Sequence, residues 1–172
     1  MFGRLSLPVR NSGASYVLGL TESDANPGHS YIFFDNDNEA SGSQFYGHRL
    51  YQFNIRHEVM HFLGASDFSG GSFDSRKYTV MSYKKHPTLD AEVYPTTYML
   101  MDYVALEQLG LLKSYNAPDV HTFNETDVLE TVYDTGGTNS FDLSDHSTGA
   151  IIDLRSGHFS SIAGASGSGN KA

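Results

Sequence analysis

The sequence predicts an α+β protein, with an early strand pair and two helices followed by a short all-β segment. Three observations carry this expectation. Residues 49–63 (RLYQFNIRHEVMHFL) place Leu50, Phe53, Ile55, Met60 and Leu63 mostly on one broad face at helical spacing. Residues 14–20 (ASYVLGL) and 31–34 (YIFF) read as strands, separated by a turn cluster over 21–28 that should end the first of them. From residue 117 the texture changes to short apolar runs between Gly-containing turns.

Each element follows in order. Residues 1–13 give a weak strand signal at most. The two early strands lie close enough in sequence to pair at a sheet edge, and the polar run 35–38 stops the second. Gly64 is placed to end the first helix through a left-handed turn. A loop rich in Gly, Ser and Asp covers 65–76, and a polar turn through Lys84, Lys85 and Pro87 follows residues 78–81. The second helix is expected over 97–111, stopped near Gly110. Beyond it, VLETVYD (128–134), NSFDLS (139–144), AIIDLR (150–155) and HFSSIAG (158–164) are the expected strands. The expected organisation is one domain over 1–116, a β-rich segment over 117–164 and a flexible Gly/Ser-rich tail over 165–172.

Composition narrows the function. The 172 residues are 39% apolar and 13% aromatic, too apolar for a chain that stays disordered. A net charge of −9 repels phosphate, and no basic run offsets it, so nucleic acid and anionic membranes are excluded as partners. Cysteine is absent, which removes disulfides, thiolate metal sites and a thiol nucleophile. No stretch approaches the ~20 apolar residues of a membrane span, and no signal peptide is visible in the first twenty residues. The eight histidines are then the only soft ligands present in number.

Three of the helix residues form HExxH. His57 and His61, at i and i+4, lie a turn apart on one face and can reach a single metal ion. Glu58 is rotated by about 100° and can address a water rather than the metal. The match extends to H-E-V-M-H-F-L-G-A-S-D: Gly64 lets the backbone leave the helix, and Asp67 can swing back as a third, oxygen ligand. Requiring Gly64 and a ligand at 67 makes a chance match about a hundredfold rarer than HExxH alone.

Downstream, Tyr78-Thr79-Val80-Met81-Ser82-Tyr83 resembles the Met-turn of the metzincin metallopeptidases, and its V-M-S-Y form is most similar to the serralysin family. Residues 98–112 resemble that family's P-M-L-x-D-x-A-A-I-Q-x-L-Y-G helix. Residues 132–142 (VYDTGGTNSFD) resemble its W-D-A-G-G-x-D-T-x-D, and IIDLRSGHFSSIAG resembles I-D-L-R-E-G-x-F-S-x-x-G-G. The similarity covers residues 14–164. It implies a metzincin-like catalytic domain of twisted sheet, active-site helix, Met-turn and second helix, followed by the start of a β-roll. Within it Met81 would be an apolar floor beneath zinc, and Tyr83 a phenol that ligates the resting metal or stabilises the oxyanion. Ala14, Ser15, Tyr16, Val17 and Leu18 would be the edge strand to which an extended polypeptide substrate adds. Extracellular action also follows from the resemblance alone.

The chain departs from the family in three places. Asp67 stands where a third His is usual; a carboxylate is a competent zinc ligand, but its charge makes bound water less acidic. Asp134, Gly136, Gly137, Asn139 and Asp142 are the candidate calcium residues. Asn139 and Ser156 replace carboxylates, so calcium binding is expected to be absent or weak, near ~10⁻⁴–10⁻³ M. The family also carries more N-terminal strands than residues 1–56 supply, so a sheet edge is exposed: either the N-terminal part has been lost or a further chain covers the gap. The reading is a zinc-dependent metalloendopeptidase of the metzincin clan. The alternatives are a catalytically silent binding or structural module on the same fold, and a zinc enzyme acting on a non-peptide amide.

Overall fold

The computed structural model describes residues 19–23, 30–34, 49–89, 93–123, 129–146 and 149–162. They form an α+β arrangement of short elements: β1 (Gly19–Ser23), β2 (Ser30–Phe34), α1 (Arg49–Phe62), α2 (Leu100–Gln108), β3 (Val120–Thr122), β4 (Ser140–Asp142), β5 (Ala150–Ile151) and β6 (Ser161–Ile162). β1 and β2 pair antiparallel, with Leu20 opposite Phe33 and Thr21 opposite Ile32, and α1 lies against both. The pairing expected of the two strands is present, but β1 runs on through Ser23 where a turn cluster should have ended it. Pairing explains the extension: Thr21, Glu22 and Ser23 each gain a ladder partner, which outweighs the poor strand preference of Glu and Ser. Residues 1–18 and 35–38, including the proposed substrate edge, lie outside the described residues.

α1 buries Phe53, His57 and Met60 on the stripe that faces the core. Its exit is a Schellman turn: Ala65 N–H donates to the Met60 carbonyl (2.9 Å) and Gly64 N–H to the His61 carbonyl (2.9 Å). Gly64 sits at φ 98°, a conformation costly for any residue with a Cβ. α2 is shorter than the expected 97–111. It begins at Leu100 because Asp102, in the first turn, accepts the Met99 N–H at 2.8 Å and fixes Met99 as an extended cap. A second Schellman turn closes it, from Gly110 to Glu107 and from Leu111 to Leu106.

The core collects Phe53, Met60, Val80, Met81, Met99 and Leu106, so both helices and the segment between them meet there. Met60 and Val80 are wholly excluded from solvent, and truncating a methionine so placed costs ~2–5 kcal/mol. The Arg76 guanidinium lies 4.5 Å from the Tyr94 ring centre and 5.2 Å from that of Phe53, lidding one side.

After α2 the chain is β-like, as its texture implied, though not at every expected run. β3 pairs with β4 in parallel and β5 with β6 antiparallel. Among the described residues of the first run, 129–134, Leu129 bridges to Pro95, and its carbonyl accepts Thr96 N–H at 2.8 Å. β3 was not anticipated, because His121 interrupts the apolar pattern of so short a run. Among the described residues no helix is long and apolar enough to cross a membrane.

Candidate metal centre

α1 brings the two histidines of its last turns together. Nε2 of His57 lies 3.0 Å from Nε2 of His61, with the rings edge-on. Each ring is oriented through its other nitrogen. Nδ1 of His57 is 2.9 Å from the Val80 carbonyl, and Nδ1 of His61 is 2.9 Å from the Ala65 carbonyl. A carbonyl can only accept, so both Nδ1 atoms carry the proton and, in the neutral rings, both Nε2 atoms present lone pairs. The Schellman turn thus has a second use, since it aims the Ala65 carbonyl back at His61.

Asp67 closes the cluster. Its Oδ1 lies 3.3 Å from each Nε2, and these three atoms form the group of potential ligands found among the described residues. The backbone is tied down one residue later, where Phe68 N–H donates to the Met81 carbonyl at 2.9 Å. Three acceptors facing one another at 3.0–3.3 Å repel unless a cation lies among them. Donors of a tetrahedral ion with bonds near 2.0 Å stand about 3.3 Å apart. The donor set therefore fits a zinc-like ion, and two imidazoles with one carboxylate suit that metal.

Behind His57 stands Asp102, 1% exposed and not singled out from the sequence. Its Oδ1 accepts the Thr79 hydroxyl at 2.6 Å, and its Oδ2 accepts Val80 N–H at 2.9 Å and Met99 N–H at 2.8 Å. Thr79 in turn accepts Met81 N–H at 3.0 Å. The Val80 peptide thereby bridges Asp102 on its amide side to His57 on its carbonyl side. Burial pushes the Asp102 carboxyl above its ordinary pKa, while the three donors and the nearby His57 pull the other way. A carboxylate on the apolar stripe Met99–Asp102–Leu106 was the available signal: a charge there must have buried partners.

Glu58 and Tyr83 lie beside the cluster. Glu58 is buried on α1 beside His57. Met81 is buried in the core between the two helices, its carbonyl holding the loop after Asp67. Tyr83 is 70% exposed, yet its hydroxyl lies 3.5 Å from His57 Nε2 and its ring 5.4 Å from the imidazole centre. Partial desolvation, then the Asp67 carboxylate and its hydrogen bond, and then Glu58 raise the phenol's pKa, so it stays protonated here.

The calcium candidates are arranged differently. Asp134 Oδ1 accepts Gly136 N–H at 2.8 Å, and Asp134 Oδ2 accepts the Asn139 side-chain amide. That amide also donates to the Gly136 carbonyl at 3.1 Å, while Asn139 Oδ1 accepts Asp119 N–H at 2.9 Å. Asp142 lies on β4 and accepts Ser144 N–H at 2.9 Å. Gly137, at φ 95°, holds its Cα where a Cβ would meet the Ala117 carbonyl at 2.9 Å. The oxygens offered to calcium already face N–H donors, and the Asn139 amide stands between two of them, so the residues as arranged do not fit the ion.

Comparison with known proteins relates the chain to one peptidase family. Residues 114–171 match the family model for the peptidase M10 serralysin C-terminal region. The chain is 30% identical to a serralysin of Proteus mirabilis over 142 positions, covering 64% of this chain and 29% of the relative. It is 31% identical over 172 positions to serralysins of Photorhabdus laumondii and Photorhabdus luminescens, covering 80% of this chain and 34% of each. The chain thus spans about a third of the length of the curated relatives it matches. No solved structure matches it. The relationship these matches support is to the metzincin class. Within that class the relationship is to the serralysins.

Proposed function

We propose that the chain is a zinc-dependent metalloendopeptidase acting on extended polypeptides. The observation that carries the reading is the convergence of His57 Nε2, His61 Nε2 and Asp67 Oδ1 within 3.3 Å, with both imidazoles held in the lone-pair-presenting tautomer. These three residues would hold zinc, which when bound supplies Lewis acidity towards water and the scissile carbonyl. Glu58 takes a proton from the attacking water as the carbon–oxygen bond forms, and returns it to the amine as the carbon–nitrogen bond breaks. Tyr83, protonated and exposed beside the cluster, donates a hydrogen bond to the oxyanion. Asp102 and the Val80 peptide keep His57 in place throughout. By the same kinship the site of action is extracellular, and specificity rests mainly on backbone contacts with the substrate.

Zinc analysis of the purified chain beside casein digestion tests the reading. One zinc per chain, lost in His61→Ala, together with cleavage of casein is the expected result. Stoichiometric zinc without cleavage of casein or of small amides would instead support a silent module, and no zinc at all would remove the basis of both.

A further inference from the structure

We propose that Asp74 is a positioning residue for Tyr83, holding the phenol over the metal centre from behind; the inference rests on the role given to Tyr83 above. Tyr83 has little packing to hold it, being 70% exposed, so its placement depends on its backbone. Both of its chain neighbours are bound to one carboxylate. The Ser82 hydroxyl donates to Asp74 Oδ1 at 2.6 Å, and Lys84 Nζ lies 2.7 Å from Asp74 Oδ2. The two neighbours are also joined directly, because Lys84 N–H donates to Ser82 Oγ at 3.1 Å. Arg76 N–H donates to the Lys84 carbonyl at 2.9 Å, adding a second strap from the same loop.

Asp74 itself is firmly seated. Its side chain is 3% exposed, and Gly70 N–H donates to Oδ2 at 2.7 Å. At its other end the Tyr83 hydroxyl lies 3.5 Å from His57 Nε2, beside Asp67 Oδ1, which the same loop as Asp74 carries. The phenol is therefore placed from both ends: its tip lies beside His57, and the side chains on either side of it in the chain are bound to Asp74. Removing Asp74 keeps the Arg76–Lys84 backbone bond but releases the Ser82 and Lys84 side chains, so an exposed ring gains room to swing. Misplacement of about 1 Å at a reacting group costs on the order of 10²-fold in rate. A carboxylate that only stabilised the loop would lower melting temperature and zinc retention without acting through Tyr83.

A double-mutant cycle separates the two roles. In zinc-loaded protein acting on a quenched peptide, Asp74→Ala should lower kcat by about 10–100-fold with KM and zinc content held. In a Tyr83→Phe background the same substitution should lower kcat less than about twofold. Ser82→Ala/Lys84→Met, which removes the same two side-chain contacts while keeping the carboxylate, should reproduce the result if Asp74→Ala folds poorly. Equal losses in both backgrounds, or no loss of kcat, would overturn the inference. Tyrosine-labelled carbon-13 NMR reads the position independently of activity, so the proposal stands or falls even if the chain cleaves nothing. Asp74→Ala should shift or broaden the resonance that Tyr83→Phe deletes and spare Tyr103, which stacks on Tyr133. An unmoved Tyr83 resonance would sink the idea.

Discussion

His57 is joined to Asp102 through a single peptide: its Nδ1 meets the Val80 carbonyl at 2.9 Å, and the Val80 amide meets the carboxylate at 2.9 Å. The imidazole that leads the metal cluster is thus oriented by a residue on the next helix, with no direct contact between the two side chains required. Outer partners of this kind fix tautomer and ring angle before any ion arrives.

Asp102→Ala should therefore be costly twice over. It strands the Thr79 hydroxyl and the amides of Val80 and Met99, each a buried donor, for a loss of ~3 kcal/mol or more in denaturant unfolding. Zinc affinity, read by chelator competition, should fall about 10–100-fold. Wild-type affinity in a destabilised variant would mean that the Val80 bridge does not govern His57.

Glu58→Gln should retain one zinc per chain and lose ~10²–10⁴-fold in peptide turnover, since it removes a proton acceptor and no ligand. Zinc content and kcat measured on one preparation decide it. Appreciable turnover by a metal-loaded variant would assign the base elsewhere.

Acid stability should carry the mark of Asp74. Hydrogen bonds from Lys84, Ser82 and Gly70 lower its pKa from 3.8 to about 2. A carboxyl depressed in the folded state stabilises the fold fully above its unfolded pKa, and the contribution disappears as pH falls through the folded value. The melting-temperature gap between wild type and Asp74→Asn should be constant above pH ~4 and close between ~4 and ~2. A gap unchanged down to pH 2 would contradict the sign.

Calcium should be dispensable. With the Asn139 amide donating to both Asp134 and the Gly136 carbonyl, excess EGTA should leave the melt of zinc-replete protein unchanged once zinc is held constant. Calorimetric titration with Ca²⁺ should give no heat at micromolar concentrations. Asn139→Asp, which exchanges that donor for an acceptor, should create calcium affinity where there was none.

What could be read from the sequence was local in chain distance. His57 and His61 are one turn apart, and Gly64 and Asp67 follow within six residues of His61, so helix geometry and a glycine turn were enough to bring them together. Asp74 and Asp102 act across gaps that periodicity does not span: Thr79 and Asp102 are 23 residues apart, and Ser82 and Asp74 are eight. The end of α2 was legible from Gly110, whereas its start was not, because Met99 is held extended by a side chain in the following turn. β1 outran its predicted end for a similar reason, since its last three pairs depend on β2. An element as short as β3 carries too few residues for any pattern to declare itself.

The double duty of Asp102 has a consequence for synthesis. A nascent chain that has emerged as far as Tyr83 already contains Glu58, both histidines, Asp67 and the phenol. It lacks the carboxylate to which the Val80 amide must bind, and the Met99 amide held by the same oxygen starts the helix that delivers it. Every chemical group of the centre is thus translated before the group that squares it up. An ordered centre therefore requires that α2 has been made and has docked.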